Sequence, residues 1–362
     1  MEKIRVNLSD ENSHNIYIGY PLEKIAENLK FEIFGNKIII LSDKNVFSLY
    51  GENLKKNLKN TGKKIKEIVI QPGEKQKNLK TVLNIIEKLL EFQVNRDDLI
   101  LNLGGGVISD IGGFVASIYM RGIKYGNIPT TLLSQVDASI GGKTGINMEK
   151  GKNLIGSFYQ PVFIYIDLKT LSTLPYREIK QGLSEIVKYG VIKNKDIFEK
   201  LEKIQIEELE ENFEYLVKES IKIKVNIVEK DEKEKKGLRE ILNFGHTLGH
   251  GIEISNLKRF SHGEAVYLGM LGESFISYKK GICDIDIYKR IKELGEKFNF
   301  LTTYEKINIE ILVNFLKYDK KIKKEKLRFV LPEKIGKCKI GVEIEEQEII
   351  RILKELKNAE KN

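Results

Sequence analysis

Cysteine, histidine and long apolar runs are all scarce in this chain of 362 residues. The two cysteines, Cys283 and Cys338, lie far apart and outside any metal-type spacing, which predicts free thiols and a cytoplasmic protein. No apolar run approaches the roughly 20 residues of a membrane span. The first ten residues also lack the apolar stretch of a secretion signal. We therefore expect no membrane partner.

A purely basic block is missing as well, although the formal net charge is +9. Lysines alternate with glutamates, as in KDEKEKKG (230–237). A nucleic-acid-binding protein more often concentrates its positive charge and interleaves aromatic residues with it, so we expect no nucleic-acid partner. The excess charge is either a solvated surface or, in part, a set of lysines that faces an anionic small molecule.

The two halves of the chain differ in pattern. The first half alternates helical stretches such as 78–92 with short β-branched runs, namely KIIIL (37–41), KEIVI (66–70), LILNL (99–103) and VFIYI (162–166). This alternation predicts a parallel sheet with helices on its faces, which binds ligands beyond the carboxyl ends of its strands. Beyond LPYRE (174–178), amphipathic stretches such as 177–192 and 214–228 predict a mainly α-helical domain. The expected domains are residues 1–176 and 177–362.

A glycine-rich turn follows the third predicted strand, in LILNLGGGVISDIGGFVAS (99–117). Glycines there let the backbone approach a ligand, and the free N–H groups at the start of the next helix attract phosphate oxygens. The dinucleotide fingerprint G-x-G-x-x-G is incomplete, because Ser109 occupies the third glycine position. The segment is either a variant nucleotide-binding turn or only a tight turn. Asp43 and Glu74, after the first two strands, are placed to supply the carboxylate that a ribose requires.

Three of the four histidines fall within NFGHTLGHGIEISNLKRFSHGEAV (243–266). His246 and His250 are four residues apart and share one face of a helix, and His262 begins another helical run. Clustered imidazoles are typical metal ligands, and a catalytic metal commonly has three protein ligands and one open position. Glu185, in the apolar context GLSEIVKYG, is a candidate carboxylate ligand. The alternative is a group of hydrogen-bonded structural histidines.

Two further glycine-rich segments contain lysines. QVDASIGGKTGIN (135–147) combines Asp137 with Lys143, and GKN (151–153) adds Lys152. A single lysine beside glycines is often only a loop charge. Two lysines in one such region, near a candidate cofactor turn, favour the binding of an anion.

These motifs together resemble the 3-dehydroquinate synthase family of sugar phosphate cyclases over almost the whole chain. The resemblance rests on PGEKQK (72–77), LGGGVISDIGGFVAS (103–117), YMRG (119–122), IPTTLLSQVDASIGGKTGIN (128–147), GKNLIGSF (151–158), GLSEIVKYG (182–190), GLREILNFGHTLGHGIE (237–253), SHGEAV (261–266) and DKK (319–321). It implies a Rossmann-like α/β N-terminal domain and a helical C-terminal domain. It also implies bound NAD, one divalent metal (zinc or cobalt) and a homodimer.

The resemblance implies roles for individual residues. It makes Glu185, His246 and His262 the metal ligands and directs His250 toward the substrate. The residues implied at the cofactor are Asp43, Asn45, Gly73, Glu74, Lys77, Gly105, Gly106, Val107, Ser109, Asp110, Thr130, Thr131, Lys143, Lys152, Asn153, Thr170 and Thr173. Those implied at the substrate are Asp137, Lys143, Lys188, Lys224, Arg239, Asn243, His250, either Lys320 or Lys321, and Arg121, which would reach the phosphate site of a neighbouring subunit.

The reaction that the resemblance implies converts 3-deoxy-D-arabino-heptulosonate 7-phosphate to 3-dehydroquinate and phosphate. It proceeds by transient oxidation with NAD, elimination of phosphate, return of the hydride, ring opening and aldol closure. The metal polarises the oxygen that is oxidised. Two alternatives are another sugar phosphate cyclase on the same scaffold, and a metal-dependent polyol dehydrogenase, which would accumulate NADH.

Overall fold

The computed structural model describes residues 1–9, 12–149, 151–255, 260–319 and 326–360. The chain divides into two compact units. The first unit comprises Met1–Pro175 and Lys224–Lys233, and the second comprises Tyr176–Ile223 and Glu234–Asn362.

Strands and helices alternate along the first unit. They are β1 (Glu2–Val6), β2 (His14–Ile18), α1 (Ile25–Asn28), β3 (Lys37–Asp43), α2 (Lys44–Val46), α3 (Glu52–Leu58), β4 (Lys64–Ile70), α4 (Leu79–Glu91), β5 (Leu99–Gly104), α5 (Gly106–Ile118), β6 (Lys124–Pro129), β7 (Lys143–Met148), β8 (Gly151–Phe158) and β9 (Phe163–Ile166).

Helices dominate the remainder of the chain. They are α6 (Tyr176–Ile192), α7 (Lys195–Lys203), α8 (Phe213–Lys230), α9 (His246–Ser255), α10 (His262–Lys279), α11 (Ile285–Lys297), α12 (Ile309–Asp319) and α13 (Glu346–Ala359), with one antiparallel ribbon formed by β10 (Lys326–Lys334) and β11 (Lys337–Glu345). The last turns of α8, from Lys224 onward, group with the first unit.

A seven-stranded sheet in the order β1-β2-β9-β6-β5-β3-β4 forms the centre of the first unit. Strand β1 is antiparallel to β2, and the remaining neighbours are parallel. Ile38 and Ile40 of β3 pack into one hydrophobic cluster, whereas Ile39 and Leu41 pack into another. Both faces of the strand are therefore buried, which explains its unbroken apolar sequence.

The prediction of a parallel α/β domain followed by a mainly helical part is confirmed. Strands β3, β4, β5 and β9 contain the four predicted runs apart from Val162, which precedes β9, and α6 and α8 contain two predicted helical stretches. Helix α4 is one residue shorter at each end than the predicted stretch 78–92. The sequence did not reveal β6, the β1–β2 and β7–β8 hairpins, or the β10–β11 ribbon.

The order of the strands reverses at β3. From this strand the chain proceeds to β4 on one side, and then returns to add β5, β6 and β9 on the other side. In open parallel sheets, ligands bind at the carboxyl ends of the strands where the order reverses. Asp43 ends β3 and Gly104 ends β5, so both residues lie at this point of the sheet.

The β1–β2 hairpin holds the end of helix α8. The backbone and side-chain nitrogens of Asn7 donate to Glu229 Oε1 at 2.6 and 3.1 Å. Ser9 and Asn12 donate to the two carboxylate oxygens of Glu232 at 3.0 and 2.9 Å. These bonds explain why residues so distant in sequence group with the first unit.

Helix α10 forms the centre of the second unit. Gly263 and every residue from Ala265 to Ser277 are buried, and the helix packs against α6, α9, α11 and α13. A helix that is apolar on all sides belongs in an interior. None of the helices in the described ranges is both long and apolar enough to cross a membrane.

Candidate active site

Three side chains that the sequence singled out as metal ligands meet in the second unit. Glu185 lies on α6, His246 begins α9 and His262 begins α10. Glu185 Oε1 is 3.4 Å from Nε2 of His246 and 3.6 Å from Nε2 of His262. One potential ligand atom from each residue lies within 4.8 Å of the other two, which suits a single ion.

Local sequence fixes His262 at the start of a helix. Ser261 caps α10 by accepting the N–H of Glu264 at 3.4 Å, and Glu264 accepts the N–H of Ser261 at 2.9 Å. This capping box places His262 in the first turn of the helix. The motif S-x-x-E in SHGE could have predicted this helix start from sequence.

The second nitrogen of each imidazole faces an acceptor. Nδ1 of His246 lies 3.2 Å from the carbonyl oxygen of Phe244, and Nδ1 of His262 lies 3.9 Å from Glu253 Oε2. Ligating histidines commonly use their second nitrogen in this way, because it orients the ring and fixes its tautomer. In both rings, Nε2 therefore faces Glu185.

The charges of the cluster suit a metal ligand set. Burial alone would raise the pKa of Glu185, but the Lys188 ammonium and the His246 imidazole outweigh it and hold this pKa well below its usual value. Burial likewise opposes protonation of His262, yet Glu185 and Glu253 raise its pKa to about 9. Glu185 stays ionised, and a metal ion bound here would displace the proton from His262, because only a neutral imidazole can be a ligand. One carboxylate and two neutral imidazoles form a typical donor set for zinc or cobalt.

The buried carboxylate of Glu185 gives a direct test of whether a metal fits. The residue is fully buried, and neither oxygen has a hydrogen-bond partner of good geometry among the described residues, although Lys188 pairs with Oε2. A buried carboxylate oxygen without a hydrogen-bond partner destabilises the folded protein unless another group binds it. A divalent ion held by Glu185, His246 and His262 would meet that requirement.

The predicted substrate residues of the second unit lie on the same elements as the ligands or just before them. Lys188 is one turn after Glu185 on α6 and is buried. Arg239 is also buried, and its Nε lies 3.5 Å from Glu234 Oε1. Asn243 and His250 are exposed, and the His250 ring is 5.6 Å from the His246 ring, centroid to centroid. Lys320 and Lys321 lie outside the described residues.

In the first unit, the glycine turn joins β5 to α5 without a side chain at the bend. Gly105 precedes the helix and Gly106 begins it. The helix then packs so closely on the sheet that a Cβ on Gly112 would lie 1.9 Å from Asn102 Oδ1. The close packing usually allowed by the third fingerprint glycine is thus provided by Gly112, and Ser109 can occupy the earlier position.

A hydrogen-bonded network connects the PGEK segment to this turn. The Lys77 ammonium contacts both the Asp110 carboxylate and the side-chain oxygen of Asn153. Burial raises the pKa of Asp110, against the opposing charge of Lys77. The structure therefore brings three of the predicted cofactor residues together.

Asn147, which sequence reasoning missed, joins this network at three points. Its side chain donates to Glu74 Oε1 at 2.7 Å and accepts the N–H of Asn153 at 3.0 Å, and its own N–H donates to the carbonyl of Lys77 at 2.8 Å. The segment GGKTGIN does not reveal these hydrogen bonds of Asn147, because the partner residues are distant in sequence.

The other predicted cofactor residues differ in the hydrogen bonds that they make. Asp43 Oδ1 accepts the N–H groups of Asn45 and Val46 and so caps α2. The hydroxyl of Thr130 is buried and has no hydrogen-bond partner in the part of the chain that the structure describes. Thr170 differs, because its hydroxyl donates to Asp167 O at 2.8 Å and accepts from Gln135 at 3.1 Å within the core.

Several of these residues lie in turns or on the β7–β8 hairpin. Gly73 has a φ of +102° and precedes Glu74, and Val107 is in the first turn of α5. Thr131 accepts the N–H of Ser134 at 3.2 Å, and the hydroxyls of Thr173 and Tyr50 lie 2.5 Å apart. The exposed side chains on this hairpin include those of Lys143 and Lys152.

Buried Lys224 and partly exposed Asp137 form an ion pair in the first unit. The ammonium of Lys224 lies 2.8 Å from Asp137 Oδ1 and 2.7 Å from the carbonyl oxygen of the same residue. Arg121 lies elsewhere, in a tight turn where Met120 and Arg121 have φ values of 48° and 63°. Such φ values are uncommon for residues other than glycine.

Family models match both parts of the chain. The model described as 3-dehydroquinate synthase N-terminal matches residues 67–181, and the one described as 3-dehydroquinate synthase C-terminal matches residues 182–322. This chain belongs to the 3-dehydroquinate synthase family. The 3-dehydroquinate synthase of Dictyoglomus thermophilum is 45% identical over 98% of both chains. That of Thermoanaerobacter pseudethanolicus is 42% identical over 98% of this chain and 100% of its own.

Solved structures of sugar phosphate cyclases share the fold of this 3-dehydroquinate synthase family member. A 2-deoxy-scyllo-inosose synthase, in complex with carbaglucose-6-phosphate, NAD+ and Co2+, superposes with a TM-score of 0.89 at 25% identity, covering 98% of this chain and 100% of its own. A 2-epi-5-epi-valiolone synthase from Streptomyces hygroscopicus subsp. jinggangensis, with NAD+ and Zn2+, gives 0.86 at 27%, covering 99% and 100%. A probable glycerol dehydrogenase from Sinorhizobium meliloti shares the fold alone, with a TM-score of 0.65 at 14% over 96% and 98%.

Proposed function

We propose that this protein is a 3-dehydroquinate synthase that converts 3-deoxy-D-arabino-heptulosonate 7-phosphate to 3-dehydroquinate and phosphate, with NAD and one divalent metal. The observation that carries the proposal is the cluster of Glu185, His246 and His262, in a chain that matches 3-dehydroquinate synthases along almost its full length. Sequence identity also favours this reaction over that of another sugar phosphate cyclase. The 3-dehydroquinate synthases are 40–45% identical to this chain, whereas the two other cyclases are 25–27% identical.

NAD would bind at the carboxyl ends of β3 and β5. The glycine turn offers backbone N–H groups at the start of α5 to the pyrophosphate. Asp43 and Glu74 would accept the ribose hydroxyls, while Asn147 orients Glu74. Two cyclases of the same fold contain NAD+, which supports this assignment. Thr170 is the least suitable of the predicted contacts, because its hydroxyl already bonds within the core.

The metal would bind Glu185, His246 and His262 and supply Lewis-acid polarisation of a substrate oxygen. Around these ligands the chain provides positive charge. Lys188 and Arg239 are buried cations that pair with Glu185 and Glu234, and each carboxylate helps to fix the position of its cation. They would hold the carboxylate and phosphate of the substrate, with Asn243 and His250 as exposed hydrogen-bonding groups beside them.

In the first unit, Asp137 and Lys224 would contribute to the substrate site as a pair. Lys224 would hold a substrate anion while Asp137 fixes its ammonium. Lys143 and Lys152 would add positive charge on the β7–β8 hairpin. We also assign the enzyme to the cytoplasm, because both cysteines are free thiols.

We further propose that the enzyme is a homodimer, with the β7–β8 hairpin in the interface. The hairpin exposes Met148, Leu154, Ile155 and Phe158, whose relative exposures are 43%, 63%, 40% and 43%. Within the described residues β8 pairs only with β7, so its other edge is available to a second copy. The strained turn at Arg121 would direct that side chain toward the neighbouring subunit.

Phosphate release tests the reaction directly. Purified protein would be stripped of metal and given 3-deoxy-D-arabino-heptulosonate 7-phosphate with zinc or cobalt, NAD, or both, while phosphate and NADH absorbance are followed together. We expect phosphate release only with both cofactors and without net NADH. Release of no phosphate, with NADH accumulating from a polyol, would replace this proposal with a dehydrogenase.

A further inference from the structure

A second buried carboxylate lies close to the ligand set but outside it. Glu273, on α10, is fully buried among the apolar residues of that helix. Its Oε2 accepts the N–H of Gly245 at 2.7 Å, and its Oε1 accepts the N–H of Leu248 at 3.1 Å. These two N–H groups flank His246 at the start of α9. A side chain of α10 therefore binds the backbone that positions a ligand on α9.

The two helices cross at very short range at this point. A Cβ on Gly269 would lie 1.9 Å from the carbonyl oxygen of Gly245, and a Cβ on Gly249 would lie 3.0 Å from that of Ala265. Glu273 follows Gly269 by one helical turn, and its carboxylate reaches the N-terminal start of α9. The first N–H groups of a helix have no intrahelical partner, and an ionised carboxylate is a favourable acceptor for them.

We infer that Glu273 is a positioning residue of the metal site. By holding Gly245 and Leu248, it fixes His246 on α9 relative to His262 on α10, and it contacts neither histidine side chain in the bonds described. Residues that support metal ligands from outside typically change metal affinity by about 10- to 100-fold when they are replaced. The inference rests on the metal site of the proposed function, but not on which reaction that site catalyses.

The test replaces Glu273 with glutamine, which keeps the shape but turns an amide NH2 toward one of the two N–H donors. We expect Glu273→Gln to weaken zinc binding about tenfold or more in a chelator competition. We also expect it to change the visible absorption spectrum of the cobalt-substituted protein, which reports ligand geometry. NAD affinity should stay within about twofold, because Gly245 and Leu248, which Glu273 binds, are not among the predicted NAD residues.

Ser277→Ala is the matched control. Ser277 lies one turn further along α10, is equally buried and donates to Pro332 O at 2.6 Å. Its loss should lower the melting temperature while zinc affinity and the cobalt spectrum stay unchanged. If Glu273→Gln behaves like this control, Glu273 is only a structural residue and the inference is wrong.

Two further results keep the test decisive. If Glu273→Gln does not fold, Glu273→Asp is tested instead, since it keeps a carboxyl group but is one methylene shorter. It must weaken zinc binding, and unchanged binding would overturn the inference.

The wild-type protein separates the two proposals. Zinc binding that depends on Glu273, without phosphate release, would refute the proposed reaction and leave the positioning role standing.

Discussion

His250 and His246 are chemically alike and one helical turn apart, but their surroundings differ. The ligand set that the described residues form contains His246 and His262, whereas His250 is exposed. We expect His246→Ala and His262→Ala each to lower zinc affinity by about two orders of magnitude or more, since each removes a direct ligand.

His250→Asn is the matched variant for these two. It should bind zinc within about twofold of the wild type and lose activity, because it removes a proposed substrate contact and no ligand. Metal content after dialysis and chelator competition would measure both effects. Loss of zinc in His250→Asn, with retention in His262→Ala, would contradict the assignment.

Asn147 should contribute to the affinity for NAD although it lies on a hairpin. We expect Asn147→Ala to weaken NAD binding about tenfold in isothermal titration, because Glu74 loses the bond that orients it. Glu74→Ala should lower affinity as well, and the double variant should be little worse than Glu74→Ala alone, since the two residues act as one unit.

Asn57→Ala is the control for this prediction. Asn57 is a half-buried asparagine of the same unit, and its side chain donates to Asn53. Its replacement should leave NAD affinity unchanged. Fully additive effects of Asn147→Ala and Glu74→Ala would show that the two residues act independently.

For single residues, the sequence predicted which side chains could bind a metal better than it predicted which residues contact one another. Clustering alone made His246 and His262 candidate ligands, because histidine is rare in this chain. Asn147 and Glu273 escaped notice because their roles depend on partners that only the folded chain brings near. Glu273 bonds backbone groups 25 and 28 residues away, and no local pattern marks such a contact.

Among the elements, the β1–β2 hairpin has a feature that depends on pH. His14 of β2 is buried, its Nδ1 lies 2.9 Å from Asn12 O, and its Nε2 has no hydrogen-bond partner among the described residues. Burial is the main cause that lowers the pKa of His14 to about 4, with Arg5 adding to it and Asn12 and Glu232 opposing it.

The unfolded chain therefore binds a proton at His14 below about pH 6.5, whereas the folded chain does so only near pH 4. Stability falls as the pH decreases through this window. Between pH 7.5 and pH 5, His14 should cost the wild type about 2 kcal/mol. Urea denaturation of His14→Gln should show a smaller loss over the same interval, and an equal loss would contradict the lowered pKa.

Strands with an apolar, β-branched run were predictable, whether fully buried as β3 or partly exposed as β4, and strands without such a run were not. β3 stands out because residues 38–41 form an unbroken apolar run, and in β5 only Asn102 interrupts the apolar run. β8 is mostly exposed, and β6 includes Gly126, Asn127 and Pro129, which are depleted in strands, so neither shows a continuous β-branched run. Tertiary pairing determines these strands, and the sequence alone does not reveal it.

For the whole molecule, the assembly can be tested with one substitution and its match. We expect Leu154→Asp to shift the protein from dimer to monomer in sedimentation equilibrium, because it places a charge in the proposed apolar interface. Leu83, on α4, is similarly exposed at 51%, and Leu83→Asp should leave the assembly unchanged. A dimer that survives Leu154→Asp and dissociates in Leu83→Asp would place the interface on α4.

Helix α8 restricts how this protein can be divided into fragments. Its last turns group with the first unit, although they follow the start of the second unit in sequence. A fragment of residues 1–175 would lack Lys224, the partner of Asp137, and would also lack the two glutamates that bond the β1–β2 hairpin. One cut in the gene therefore cannot yield both units intact, and separate expression of the cofactor-binding half would require residues 224–233 to be joined back to it.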